Sequence, residues 1–370
     1  MPNGSIDLAS GTPYFAVPDL LKDAAIAAIT ADQNQYSHPW GDSVLRQKIA
    51  RHYSLDGGFT VDPDSQVTVT NGSSSALASV LMASLDPGDE VILFEPCYES
   101  YVSAVKMAGG VPRVIPLNKD DWSLRLDLLE DVFNDKTKVV ILNTPHNPTG
   151  QIFGADQIAY LADLCEEHNT LLVSDEIYAN LVFEGNTHKS PYHSASVDRD
   201  RVVVVNGLSK AHNVSGWRIG YVIASEAFTS ALRIVHSTFG LAAPTPLQIA
   251  SRQAFEIETV DDASIPGTNA YYQRNLHLLH TALTEAGLIA SRPKGGSFIF
   301  ADASSLPRDE GQSPRDYLLE NLGILTMTGT PFFPESGALV GKNYVRLCFG
   351  RPLEQIEEVC DRLKSLNQGD

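Results

Sequence analysis

Leu208-Ser209-Lys210 is followed, eight positions after the lysine, by Arg218 in Ser215-Gly216-Trp217-Arg218-Ile219-Gly220-Tyr221. A lysine on a small-residue turn after the apolar run Val202–Val205 is placed to react with an aldehyde. The arginine is placed to hold a dianion. Together they imply a covalently held, phosphorylated aldehyde cofactor, which in protein chemistry is pyridoxal phosphate (PLP). Most lysines are solvated surface groups, so the pair draws its force from three further segments. These are Asn71-Gly72-Ser73-Ser74-Ser75, Asn143-Thr144-Pro145-His146-Asn147-Pro148-Thr149-Gly150 and Ser174-Asp175-Glu176-Ile177-Tyr178.

Each segment supplies one chemical need. At a strand-to-helix turn, backbone N–H groups, the helix dipole and the Ser73 and Ser74 hydroxyls would bind a phosphate. The plain alternative for such serines is an N-cap. Asp175 would pair with a protonated pyridine nitrogen and keep the ring able to accept electrons; otherwise it caps a helix. Tyr178 lies on the same side of a helical turn and could donate to the cofactor phenolate oxygen, with Asn147 donating from the other side. A core-edge tyrosine and a turn former before Pro148 are the alternatives. Tyr98, after the run Val91–Phe94, offers a flat ring to stack on the pyridine, or simply packs. Arg346 interrupts an apolar strand, Tyr344-Val345-Arg346-Leu347-Cys348-Phe349. A buried guanidinium needs an anion. A bidentate substrate α-carboxylate and an internal Asp or Glu fit that need equally.

These residues require a rigid frame. Val67–Thr70, Val91–Phe94, Val139–Leu142, Leu171–Ser174, Val202–Val205 and Tyr221–Ala224 read as buried strands. Helical patterns such as Ala76–Ser84, Ala155–His168 and Glu226–His236 lie between them. The alternation predicts an α/β fold, a mostly parallel sheet with helices on both faces. Residues 1–40 hold an extended entry and a helix near Leu20–Thr30. The carboxyl end holds short strands at Ser297–Asp302, Ile324–Thr326 and Asn343–Phe349 and a helix over Leu353–Leu366. The expected division is a large domain, 41–275, and a smaller α/β domain from 1–40 with 276–370. Functional residues in a parallel sheet gather outside the carboxyl ends of the strands. Asn71–Ser75, Asn147, Asp175 and Lys210 each follow a strand.

The 370 residues can bury a sizeable core. With 43% hydrophobic and 19% charged residues, the chain reads as an ordinary globular protein. A net charge of −18 disfavours nucleic acid and anionic membranes as partners, while leaving a small anionic substrate open. No apolar run reaches transmembrane length, and Met1–Ser5 has no signal-type character, so a cytoplasmic protein is expected. Cys97, Cys165, Cys348 and Cys360 are scattered, without metal-ligand spacing, and read as reduced; no metal is expected.

In order and spacing, these motifs resemble the fold-type I PLP enzymes of the class I/II aminotransferase family over nearly the whole chain. Leu142–Gly150, Gln35-Tyr36-Ser37 and Arg346-Leu347-Cys348-Phe349 look most like the methionine, kynurenine and aromatic aminotransferase branch. The resemblance implies Lys210 as the Schiff-base lysine and proton carrier, Asp175 on the pyridine nitrogen, and Asn147 and Tyr178 on the phenolate oxygen. Tyr98 would stack on the ring, and Ser73, Ser74 and Arg218 would hold the phosphate, with Ser209 beside them. Arg346 and the backbone near Gly11 would bind the substrate. Tyr36 would reach the phosphate of a neighbouring subunit, which implies a homodimer with shared active sites. The implied reaction moves an amino group from an L-amino acid to a 2-oxo acid.

Two departures stand out. Gly207 occupies a position where the family often has a serine or threonine, so one phosphate donor is missing. Ala211-His212-Asn213 brings a histidine and an amide after the lysine, and a surface or packing role is expected for His212. The same cofactor could alternatively serve a C–S lyase, a decarboxylating enzyme or an O2-using oxidative deaminase. A non-enzymatic relative is disfavoured by intact Lys210, Asp175 and Arg346. No Gly-x-Gly-x-x-Gly fingerprint supports a nucleotide-binding Rossmann protein.

Overall fold

The computed structural model describes residues 4–55, 59–183, 185–194, 197–256, 268–335 and 339–367. Its strands in chain order are β1 (Ile6–Asp7), β2 (Val67–Thr70), β3 (Glu90–Glu95), β4 (Val111–Pro116), β5 (Thr137–Asn143), β6 (Leu171–Asp175) and β7 (Val202–Gly207). They continue with β8 (Gly220–Ile223), β9 (Ile289–Ala290), β10 (Phe298–Asp302), β11 (Ile324–Leu325), β12 (Met327–Thr328) and β13 (Tyr344–Cys348). A seven-stranded sheet has the order β2-β8-β7-β6-β5-β3-β4. Only β8 runs against the rest, pairing antiparallel with both β2 and β7. The expected mostly parallel sheet is therefore present.

Burial on both faces explains why the strands read as unbroken apolar runs. In β7, Val202 and Val204 enter one core, while Val203 and Val205 enter the core on the opposite face. Helix Ser73–Ser84 buries Ala76, Leu77, Val80 and Leu81 against that second face. A third core joins Ile6 and Leu8 to β10, β13, helix Thr268–Glu285 and helix Leu353–Lys364. In the last helix Ile356, Val359, Cys360 and Leu363 form one apolar stripe at helical spacing. We retain two lobes as a proposal, with two details. Position 276 lies inside helix Thr268–Glu285, and Leu21 packs in a core of the large sheet.

The expected strand over Ile324–Thr326 is the shorter Ile324–Leu325, and a further strand, Met327–Thr328, follows it. Ile324–Leu325 pairs with the entry strand β1, whereas Met327–Thr328 pairs with β13. The sequence reading did not identify β4, an edge strand with exposed and half-buried side chains, because it lacks an apolar run. Helix Ser43–Leu55 was also not anticipated.

Register sets the site. Asn143 lies opposite Asp175 across β5 and β6. Gly207 lies opposite Gly220 across β7 and β8, and Gly220 lies opposite Thr70 across β8 and β2. The three small-residue strand ends bring Gly72 beside the turn that carries Lys210. A Cβ on Gly220 would clash with the Gly72 carbonyl carbon and sit 2.5 Å from the Ser73 backbone nitrogen. Gly220→Ala should therefore destabilise the fold by about 2 kcal/mol, because the obstruction is the Gly72–Ser73 backbone rather than a movable side chain. Urea denaturation checks this, and an unchanged midpoint would contradict so close an approach.

Candidate active site

Eleven of the twelve residues singled out for the site line one cavity of about 450 Å³. They are Gly11, Ser73, Ser74, Tyr98, Asn147, Asp175, Tyr178, Ser209, Lys210, Arg218 and Arg346. The size suits a small-molecule site. Tyr36 is the exception: it is 85% exposed and does not line the cavity.

Asp175 ends β6 and is buried. Burial lifts its carboxyl to about 6, against the opposing effect of the Tyr101 hydroxyl, which donates to Oδ2 at 2.7 Å. The Ile177 N–H donates to Oδ1 at 3.2 Å. No described cation pairs with Asp175, so this carboxylate is under-compensated for its depth. Tyr101 was missed by the sequence reading. It sits on helix Ser100–Met107, three residues after Tyr98, and packs edge-on to Tyr98 with ring centroids 5.5 Å apart. Its helical spacing from Tyr98 was the available signal.

Lys210 follows β7 and donates from Nζ to the Gly11 carbonyl at 2.9 Å. Its ammonium lies 5.9 Å from the centroid of the buried Tyr178 ring. Burial lowers its pKa to about 8, with the Arg346 and Arg218 charges acting in the same direction. Arg218 adopts a left-handed backbone, φ 55° and ψ 49°, which is uncommon for a residue with a side chain. That turn lays the guanidinium over Gly72, so closely that a Cβ there would overlap it. Gly72 itself has φ +80° and precedes the first turn of helix Ser73–Ser84. Ser73, Ser74, the helix N-terminus and Arg218 form a cationic cradle of the kind that receives phosphate.

Arg346 bears on an alternative left open by the sequence. No Asp or Glu forms an ion pair with it among the described residues. Its Nη1 donates to Asn147 Oδ1 at 3.0 Å and its Nη2 to the Ala9 carbonyl at 3.1 Å. The guanidinium lies 3.9 Å from the Phe298 ring centroid, and its Nε is buried without a hydrogen-bond partner. A buried cation with neutral partners and an orphaned donor is suited to an anion from outside the chain. Asn147 is held by its backbone N–H, which donates to Asn143 Oδ1 at 2.7 Å. Because Asn147 Oδ1 faces Arg346, its amide nitrogen is the end left to donate elsewhere.

The two departures have different standings. A Cβ on Gly207 would lie 2.9 Å from the Ile219 carbonyl oxygen and 3.1 Å from Gly220 Cα. The glycine thus follows from the close approach of β8, and a side chain there has no room. His212 is buried, donates from Nε2 to the Ala254 carbonyl at 3.2 Å and is absent from the cavity wall. Burial lowers its pKa to about 4, so it is a neutral packing residue. Asn213 has a left-handed backbone, φ 57°, which asparagine adopts more readily than most residues with a side chain.

The residues fit PLP on three independent points: an anion cradle at Gly72, an unpaired buried carboxylate and a lysine with a lowered pKa on one cavity. Among the described residues no helix is long and apolar enough to cross a membrane, and no cluster with metal-ligating composition occurs.

Comparison with known proteins agrees with this geometry. The family model for aminotransferase class I and II matches residues 3–363. Kynurenine–oxoglutarate transaminase 3 of Rattus norvegicus is 32% identical, covering 93% of this chain and 81% of its own. The aspartate/prephenate aminotransferase of Thermus thermophilus is 33% identical, covering 96% and 89%. A solved double mutant of Thermus thermophilus aspartate aminotransferase superposes with a TM-score of 0.90 at 31% identity, covering 98% of this chain and 91% of that one. The aromatic aminotransferase of Pyrococcus horikoshii gives 0.89 at 29% identity, covering 98% and 96%. These relatives support transamination and do not favour the lyase, decarboxylase or oxidase alternatives. The α/β fold is that of the aminotransferase structures, and the chain belongs to the class I and II aminotransferase family of PLP enzymes.

Proposed function

We propose that this aminotransferase binds PLP in the cavity beside Lys210 and transfers the amino group of an L-amino acid to a 2-oxo acid. The observation that carries the reading is the set of under-compensated charges on one cavity: Asp175, Lys210, Arg218 and Arg346 line it together, and none pairs with another. When bound, PLP supplies an aldehyde that takes up the amino group and a ring that accepts an electron pair.

The protein's own groups then have separable tasks. Ser73, Ser74, the helix N-terminus, Arg218 and the neighbouring Ser209 hold the phosphate. Asp175, kept ionised by Tyr101, holds the pyridine nitrogen in its protonated form. Tyr178 and Asn147 donate to the phenolate oxygen, and Tyr98 covers one face of the ring. Arg346 fixes the substrate α-carboxylate beside the Gly11 backbone, which orients the α-carbon toward Lys210. A pKa of about 8 makes neutral Lys210 amine accessible near neutral pH, so it can move a proton from the α-carbon.

We also propose a homodimer in which Tyr36 reaches the phosphate of the second subunit. Thr245 Oγ1 donates to the Gln35 carbonyl at 2.6 Å, which anchors the loop that presents Tyr36 outward. Exposed Ile26, Ile29, Ile234 and Phe239 offer apolar surface for such pairing. The four cysteines are free and buried, in keeping with a cytoplasmic location, which we retain as part of this reading.

Lys210→Ala should retain PLP but lose borohydride-trapped attachment, with turnover down at least about 10³-fold; full activity would remove Lys210 from the mechanism. Arg346→Ala should weaken amino-acid binding by about 100-fold while leaving PLP affinity within about threefold. Equal loss of both would make Arg346 structural. Sedimentation should give twice the 40.1 kDa chain mass; a fully active monomer would overturn the shared-site reading.

A further inference from the structure

The cavity holds a second unpaired carboxylate, and it does not serve PLP in the reading above. Glu99 lines the same cavity as Arg346 and Lys210. It stands at the N-cap of helix Ser100–Met107, yet its side chain makes no capping hydrogen bond. Its Oε2 is buried with no hydrogen-bond partner. No ion pair to Glu99 occurs among the described residues. Its negative charge acts on the Arg346 guanidinium, which places it toward the substrate-carboxylate end of the cavity. The lining cations are Lys210, Arg218 and Arg346, each already assigned a task.

We infer that Glu99 selects the substrate side chain: it favours an amino acid whose side chain brings an N–H donor and disfavours one bringing a second carboxylate. The inference rests on the aminotransferase reading of this cavity. A donor from the substrate would satisfy Oε2, which is otherwise buried without a partner. A second carboxylate would meet a like charge in a partly desolvated space, with no cation of this chain left to offset it. Discrimination between an amide and a carboxylate of the same shape is therefore electrostatic rather than steric.

The test uses isosteric pairs on the PLP-loaded enzyme. The wild type should prefer L-glutamine to L-glutamate, and L-asparagine to L-aspartate, by about 100-fold in kcat/KM. Glu99→Gln should bring each ratio to within about threefold, whereas Glu99→Asp, which keeps the charge, should retain the preference. A wild type that takes the dicarboxylates equally well, or a Glu99→Gln ratio that does not move, overturns the inference. Binding of unreactive succinamate and succinate to the wild-type enzyme gives a reading that needs no variant and no turnover. Tighter succinamate binding supports Glu99 as selector, and equal or tighter succinate binding rejects it. Should no amino acid, L-alanine included, give up its amino group, the aminotransferase reading fails, while the succinamate comparison still decides the role of Glu99.

Discussion

Arg346 lies buried in the middle of a β-strand, and no carboxylate among the described residues forms an ion pair with it. This constraint organises the site. Its partners are an amide oxygen and a main-chain carbonyl, which satisfy geometry but not charge. Asp175 presents the mirror case, a buried carboxylate whose side-chain partner is a tyrosine hydroxyl. Opposite charges in one protein commonly neutralise each other. Here the fold holds them apart around a shared cavity, so a ligand with complementary charges can complete both.

The sheet achieves this separation by register rather than by local sequence. Parallel strands end on one side, which lines up Asn143 with Asp175 and brings the Lys210 turn beside the phosphate cradle. The antiparallel β8 packs its glycine against Gly72 and so fixes the cradle. Arg346 arrives from a different sheet, whose core draws on both ends of the chain. The site therefore draws on two sheets, and its precision depends on how they pack. Helix Ser73–Ser84, β6 and β13 carry Ser73, Ser74, Asp175 and Arg346 directly, and the turns that follow β5, β6 and β7 carry Asn147, Tyr178 and Lys210.

Much of this was readable from the residues. Val139–Leu142, Leu171–Ser174 and Val202–Val205 announce doubly buried strands, since neither face of such a strand meets water. The positions after those strands carry Asn147, Asp175 and Lys210, and the structure gathers them. The edge strand β4 gave no signal because half its side chains face outward. That Ile324–Leu325 and Met327–Thr328 are separate strands depends on partners distant in sequence, β1 and β13. Tyr101 and Glu99 escaped notice because a tyrosine and a glutamate near a helix start are ordinary there; Tyr101 is distinguished by its burial and its bond to Asp175, and Glu99 by its unpartnered Oε2. The reason for Gly207 was equally hidden, as it lies in the backbone of a neighbouring strand.

The central claim is that one cavity, completed by PLP, accepts an amino group and passes it on. The most direct measurement is the absorbance spectrum of the purified protein during addition of a single amino acid, first under air and then without oxygen. The account predicts a band near the visible edge that shifts to a pyridoxamine-like form, with one equivalent of 2-oxo acid released per site and no dependence on oxygen. A band that returns unchanged while ammonia, a thiol or CO2 accumulates would contradict it.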